Sequence, residues 1–129
     1  MPMIEGVPMF DCILLGMGPD GHTCSLFPGH PDFLRVRDEQ APDFKEWVIG
    51  VTGSPKPPPN RITLTPVILR TATSLIWVVT GDGKKEPVAE VIEGKSMRLP
   101  SDIVPRDQAV WFLDDSAAAL VPEANKERL

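Results

Sequence analysis

The chain has 129 residues, enough for one domain with its own core. A hydrophobic share of 42% and a charged share of 24% are those of a soluble globular protein rather than a disordered or fibrous one. The net charge of -5 argues against a general nucleic-acid binder, because a phosphate backbone selects basic faces, but a small anionic ligand needs only a few local cations.

Residues 1–9 read as an irregular lead-in with prolines at Pro2 and Pro8. Phe10 to Leu15 is short, apolar and stopped by glycine, the pattern of a buried strand. Gly16 to Gly21 is a loop, and Thr23 to Phe27 reads as a brief helical turn ended by Pro28-Gly29-His30-Pro31. Asp32 to Glu46 is polar and mostly irregular, with a helical turn near Phe33. Trp47 to Val51 is a second strand. SPKPPPNRITLTP follows, with five prolines between Ser54 and Pro66, a stiff and extended segment without a core of its own.

Thr65 suits an N-cap and Pro66 the first helical position, so a short helix runs to about Thr71. Leu75 to Val79, LIWVV, is a third strand. Thr80 to Gly83 is a tight turn, and Val88 to Glu93 is helical up to Gly94. Residues 95–108 are loop-like, and Val110 to Leu113 is a fourth strand. Asp114, Asp115 or Ser116 caps a last helix, Ala117 to Val121, and residues 122–129 form a solvated tail. Apolar strands without alternation, separated by helices, indicate an α/β protein with a parallel sheet covered on both faces.

No apolar run reaches membrane-spanning length, and MPMIEGVPMF lacks the basic and apolar regions of a secretory signal. Two cysteines, Cys12 and Cys24, make no disulfide framework, so the expected compartment is the reducing cytoplasm.

Gly16-Met17-Gly18-Pro19-Asp20-Gly21 spells G-x-G-x-x-G after a strand, the pattern of a dinucleotide-binding turn. That chemistry needs a long helix opening at the third glycine, and Pro28 and Pro31 stop one within two turns. It also needs an acid at the end of a second strand. Asp38 and Glu39 have the distance, but LRVRDEQ is no buried strand. The other reading is a loop that presents His22. Histidine takes a proton near neutrality, Asp20 is placed to orient the ring, and successive glycines leave N–H groups for an anion. Spacing alone does not separate this from an ordinary surface histidine. Arg61, held by the proline segment, and Lys84, after a Gly-Asp-Gly turn, are phosphate-binding types, but taken alone they read first as ordinary solvated charges.

Longer strings decide between these. GMGPDGHTCSLFPGHP, Gly16 to Pro31, resembles the signature of 6-phosphogluconolactonases, and SPKPPPNRITLT, Ser54 to Thr65, resembles their second. VVTGDGK, Val78 to Lys84, resembles the third, and AVWFLDDSAAALV resembles their usual ending. The similarity runs from about Phe10 to Val121. It implies the fold of the sugar-isomerase and CoA-transferase superfamily, a parallel-rich sheet between helices. It implies hydrolysis of 6-phospho-D-glucono-1,5-lactone to 6-phosphogluconate in the pentose phosphate pathway, without metal or organic cofactor. On this resemblance His22, with Asp20, is the general base. Gly16, Gly18 and Gly21 shape the substrate loop, and Arg61 and Lys84 hold the substrate phosphate. Related aminosugar-phosphate deaminases carry a glutamate in an F-N-E-P run. The corresponding Ser25-Leu26-Phe27-Pro28 has no acid, which favours the lactonase.

The resemblance covers only the family's C-terminal half, so residues 1–129 are expected to form one partial domain. The upstream glycine-serine phosphate loop and D-E-R motif have no counterpart in this chain. Missing flanking strands would expose a sheet edge or an apolar face and favour a homodimer. The alternative to an esterase is therefore an inactive short form that binds phosphosugars or partner proteins. Pro87 departs from the pattern too: it fits only the first turn of the following helix, which leaves Lys84 outside that helix.

Other residues carry structural expectations. His22, Cys24 and His30 form H-x-C-x5-H, short of the four spaced ligands of a structural zinc site. Cys24 reads as a small buried thiol. Trp47, Trp77 and Trp111 read as core or sheet-packing residues, the Asp114-Asp115 pair as a helix cap, and Asp82 as a turn residue close to Lys84.

Overall fold

The computed structural model describes residues 2–37, 45–94 and 98–126. Its centre is a three-stranded parallel sheet. The strands are β3 (Cys12–Leu15), β6 (Ser74–Val79) and β7 (Ala109–Leu113), in the order β3-β6-β7. The register pairs Leu15 with Trp77, and Trp77 with Trp111. These are three of the four expected strands, and the class is α/β as the sequence indicates.

Around the sheet lie two antiparallel pairs. The lead-in is a small hairpin, β1 (Met3–Ile4) and β2 (Val7–Pro8), turning at Glu5 and Gly6, both at positive φ. The expectation of an irregular lead-in is corrected here, because a two-residue turn with glycine at its second position closes a hairpin. The remaining expected strand, β4 (Val48–Val51), pairs not with the parallel sheet but with β5 (Arg61–Leu64). β5 lies inside the second signature, where the proline run masks its β-branched Ile62 and Thr63.

Four helices complete the described chain. α1 (Pro31–Arg37) is more regular than its polar sequence indicates. Asp38 and Glu39, weighed as nucleotide acids, lie outside the described residues, as do 95–97 of the expected loop and 127–129 of the tail. α2 (Pro66–Thr71) starts as expected, with Thr65 Oγ1 accepting from the Val67 N–H at 3.3 Å and Pro66 in the first turn. α3 (Lys85–Glu93) places Pro87 in its first turn and ends at Gly94 with left-handed φ. The expected helix at 117–121 is corrected to a turn. The only helix beyond it among the described residues is α4 (Glu123–Lys126), inside what reads as tail.

Leu15, Leu75, Trp77 and Val79 from the sheet pack with Ile68 and Leu69 of α2 and Val88 and Val91 of α3. Trp77 stacks flat on Trp111, ring centroids 4.5 Å apart. A second cluster joins Leu26, Phe33, Val36 and Ile49. The opposite face of the sheet is not covered by the described residues: Leu14 is 71% exposed, Val78 55% and Phe112 58%. Register joins them into one patch, Leu14 beside Ile76 beside Val110, and Val78 beside Phe112. The strands are apolar on both faces, but burial alternates along them. Trp47 stands just before β4 and is exposed, which corrects its reading as a core residue.

Candidate active site

The site grows from the end of β3. The chain leaves Leu15, forms the glycine loop and turns back through Asp20-Gly21-His22. The loop closes on itself: the Gly18 N–H donates to the His22 carbonyl and the Gly21 N–H to the Gly18 carbonyl, both at 2.9 Å. The Gly18 and Gly21 N–H groups are thus occupied, which corrects the expectation that successive glycines offer free donors. No helix opens at Gly21. Thr23 forms a bridge with Leu26, Cys24 has positive φ, and helix begins only at Pro31. The expected helical turn at Thr23–Phe27 is therefore absent, and a dinucleotide cradle lacks the dipole it needs.

Asp20 and His22 meet. Asp20 Oδ1 is 2.5 Å from His22 Nδ1 and accepts the His22 backbone N–H at 3.1 Å. A carboxylate only accepts, so Nδ1 carries the ring proton and the Nε2 lone pair is left for chemistry. Partial burial raises the Asp20 pKa. The His22 side-chain and backbone hydrogen bonds, the His22 charge and Lys56 outweigh it and hold the carboxyl below its ordinary value. Lys56 Nζ stands 3.8 Å from the same oxygen. Thirty-six positions separate Lys56 from Asp20, and no periodicity links them; its membership in the proline signature is the one signal in the sequence that points to it.

Each glycine has a different role. A Cβ at Gly18 would overlap Cε1 and Nδ1 of His22. A Cβ at Gly21 would stand 2.7 Å from Leu99 Cδ1, and its φ of +83° disfavours other residues. Gly16 has open space, and its carbonyl accepts from Thr23 Oγ1 at 2.8 Å. Gly16, Met17, Gly18, His22, Thr23 and Cys24 line an open cleft of about 380 Å³. A larger concavity, about 670 Å³, lies among Ile4, Trp47, Val67 and Arg70 and touches no candidate residue.

Lys84 does reach this loop. It closes the 3-10 turn Asp82–Lys84, and its ammonium donates to the Met17 carbonyl. Asp82 pairs with Lys85 at 3.0 Å rather than with Lys84. Arg61 approaches through Phe27: the His22 ring stacks on Phe27 with centroids 4.6 Å apart, and the Arg61 guanidinium lies 5.3 Å from the same ring. Its Nε donates to the Pro58 carbonyl, and its Nη2 to those of Lys56 and Pro57. Arg61 therefore braces the proline loop, leaving Nη1 outside those bonds.

The remaining candidates serve the fold. His30 Nε2 donates to the Thr52 carbonyl at 2.8 Å, and its Nδ1 accepts the Asp32 N–H at 3.1 Å. Burial pushes the Cys24 thiol up, against weaker hydrogen bonds from Thr23 and Thr63. Asp114 caps the turn after β7, accepting from Ala117 N–H at 2.8 Å, and ties it to the Gly81 N–H. Among the described residues no helix is long and apolar enough to cross a membrane.

Residues 2–112 match the family model described as glucosamine-6-phosphate isomerases/6-phosphogluconolactonase. The chain is 48% identical to the 6-phosphogluconolactonase of Rattus norvegicus over 119 residues, covering 91% of this chain and 43% of that protein. It is 47% identical to a probable 6-phosphogluconolactonase of Schizosaccharomyces pombe, over 88% of this chain and 42% of that one. The solved structure of the Trypanosoma brucei 6-phosphogluconolactonase superposes with a TM-score of 0.72 at 31% identity, over 90% of this chain and 44% of that one. The chain thus spans less than half the length of these relatives. Over the length it does have, the match includes the loop that joins Asp20 to His22, and this chain belongs to the glucosamine-6-phosphate isomerase/6-phosphogluconolactonase family.

Proposed function

We propose that this chain carries the proton-transfer site of a 6-phosphogluconolactonase, which opens 6-phospho-D-glucono-1,5-lactone to 6-phosphogluconate in the cytoplasm. The observation that carries this reading is the 2.5 Å contact between His22 Nδ1 and Asp20 Oδ1 at the glycine-loop cleft. His22 Nε2 takes a proton from water as its oxygen bonds to the lactone carbonyl carbon. The tetrahedral intermediate then collapses: the bond to the ring oxygen breaks, and the proton on His22 passes to that oxygen. Two of the loop N–H groups are spent on the loop, so the developing oxyanion falls to a cation, and Lys84 retains two of its three donors for it or for the phosphate. Nη1 of Arg61 is the edge offered to the phosphate, and binding there turns affinity into orientation of the ring. The test is hydrolysis of freshly made lactone by the purified chain, measured against spontaneous opening and beside His22→Ala. A rate above background that is lost in the variant supports the reading; folded protein with no such rate overturns it.

The uncovered sheet face favours a second reading, a chain that binds phosphosugars or pairs with a second copy through that apolar face without turnover. Phosphosugar binding without hydrolysis in the same assay would select it.

A further inference from the structure

Ser101 lies 80 positions from the His22 loop and belongs to none of the four motifs. It sits in a 3-10 turn, Pro100–Ile103, and is buried. Its Oγ donates to the Gly21 carbonyl at 2.8 Å, and its backbone N–H reaches the same oxygen at 3.3 Å. That carbonyl and the His22 N–H belong to one peptide unit. The unit is planar, so its two ends turn together. Ser101 grips the oxygen end, while the nitrogen end donates to Asp20 Oδ1 at 3.1 Å.

The grip has a firm base. Asp102, the next residue, has a buried side chain paired with Arg106 at 3.0 Å. Arg106 also donates to the carbonyls of Val91 and Ile92 at the end of α3. Leu99 packs where a Gly21 side chain would otherwise be. The turn is thus locked to α3 and to the loop at once, and its hydroxyl has one acceptor, the peptide before His22.

We propose that Ser101 is a positioning residue for His22, acting by fixing the Gly21–His22 peptide and through it the Asp20–His22 contact. Its catalytic consequence rests on the lactonase reading above; its geometric consequence does not. Without the hydroxyl only the longer backbone N–H bond holds that oxygen, so the peptide is freer to rotate, and a small misplacement of the ring costs rate more than affinity.

The experiment uses Ser101→Ala in the whole chain, with imidazole ¹⁵N NMR and lactone kinetics. The expected result is a folded variant with displaced His22 ring-nitrogen signals, kcat lowered by about 10- to 100-fold and KM within about twofold of wild type. His22 ring signals at their wild-type positions in the folded variant overturn the proposal, whatever happens to its stability. Ser101→Cys fills the same space with a poor donor and is read the same way where the alanine variant does not fold. Wild-type protein without lactone hydrolysis would sink the proposed function alone, and the ring signals would still decide the role of Ser101.

Discussion

Gly18 lies so close beneath the His22 ring that a Cβ there would overlap Cε1 and Nδ1 and stand 2.8 Å from Asp20 Oδ1. Gly18→Ala must therefore displace the imidazole or its carboxylate. The expected outcome is a fall in kcat of about 100-fold, since ångström misplacements carry that cost. Circular dichroism should show the fold retained, because the clash is with side chains and not with the core.

Asp20→Asn removes the negative charge and replaces an acceptor-only carboxylate with an amide that can also donate, so the His22 tautomer is no longer fixed. Lactone turnover should fall by at least the ~100-fold that general-base catalysis contributes, read as kcat beside wild type. The same variant tests stability. The folded Asp20 carboxyl titrates below its unfolded value of 3.8. Its contribution is therefore present above that value and is lost as pH falls through the folded one. Wild type should be the more stable of the two at neutral pH. That advantage should shrink only below about pH 4, so the urea midpoints of wild type and the Asp20→Asn variant should converge on acidification there.

Arg61 braces the proline loop and offers Nη1. Arg61→Ala should raise KM for the phosphorylated lactone by about 10- to 100-fold, the range of a hydrogen bond between charged groups. Gluconolactone without phosphate should show a much smaller change. An equal rise for both lactones would mean that Arg61 acts only through the loop.

The two sheet faces should differ in energetics. Trp77 is buried and stacked on Trp111. Trp77→Ala should cost about 3–5 kcal/mol, the usual range for a large aromatic removed from a core. Phe112→Ser, on the uncovered face, should stay within about 0.5 kcal/mol, as surface substitutions do. Denaturant midpoints check both.

Cys12 is exposed, whereas burial raises the Cys24 thiol. Iodoacetamide should label Cys12 in native protein faster than Cys24, because Cys24 is only partly exposed at the cleft and its raised pKa leaves less of the reactive thiolate. Mass spectrometry of the digested protein reads both sites.

Local chemistry makes part of this molecule legible. Thr65-Pro66 marks a helix start whose capping bond forms within three residues, and β3, β6 and β7 are apolar runs bounded by turn residues. Asp20 and His22 are two positions apart, so one turn is enough to join them. β5 is obscured because its strand pattern begins directly after prolines. The turn at 117–121 reads as helix because alanine-rich sequence favours helix, while Asp114 caps only a set of turns there.

The amino-acid sequence by itself determined the α/β class, the four motifs and the identity of the histidine and its carboxylate, because these depend on short-range patterns. Tertiary structure alone decided that Lys84 donates to Met17, that His22 and Arg61 both pack on the Phe27 ring, that Lys56 stands beside Asp20, and that Ser101 holds the peptide before His22. Those contacts join residues far apart in the chain, save Phe27 with His22, and packing rather than local propensity sets them. It also decided that, among the described residues, only one sheet face is covered, since an apolar strand reads the same whether its second face meets a neighbour or solvent.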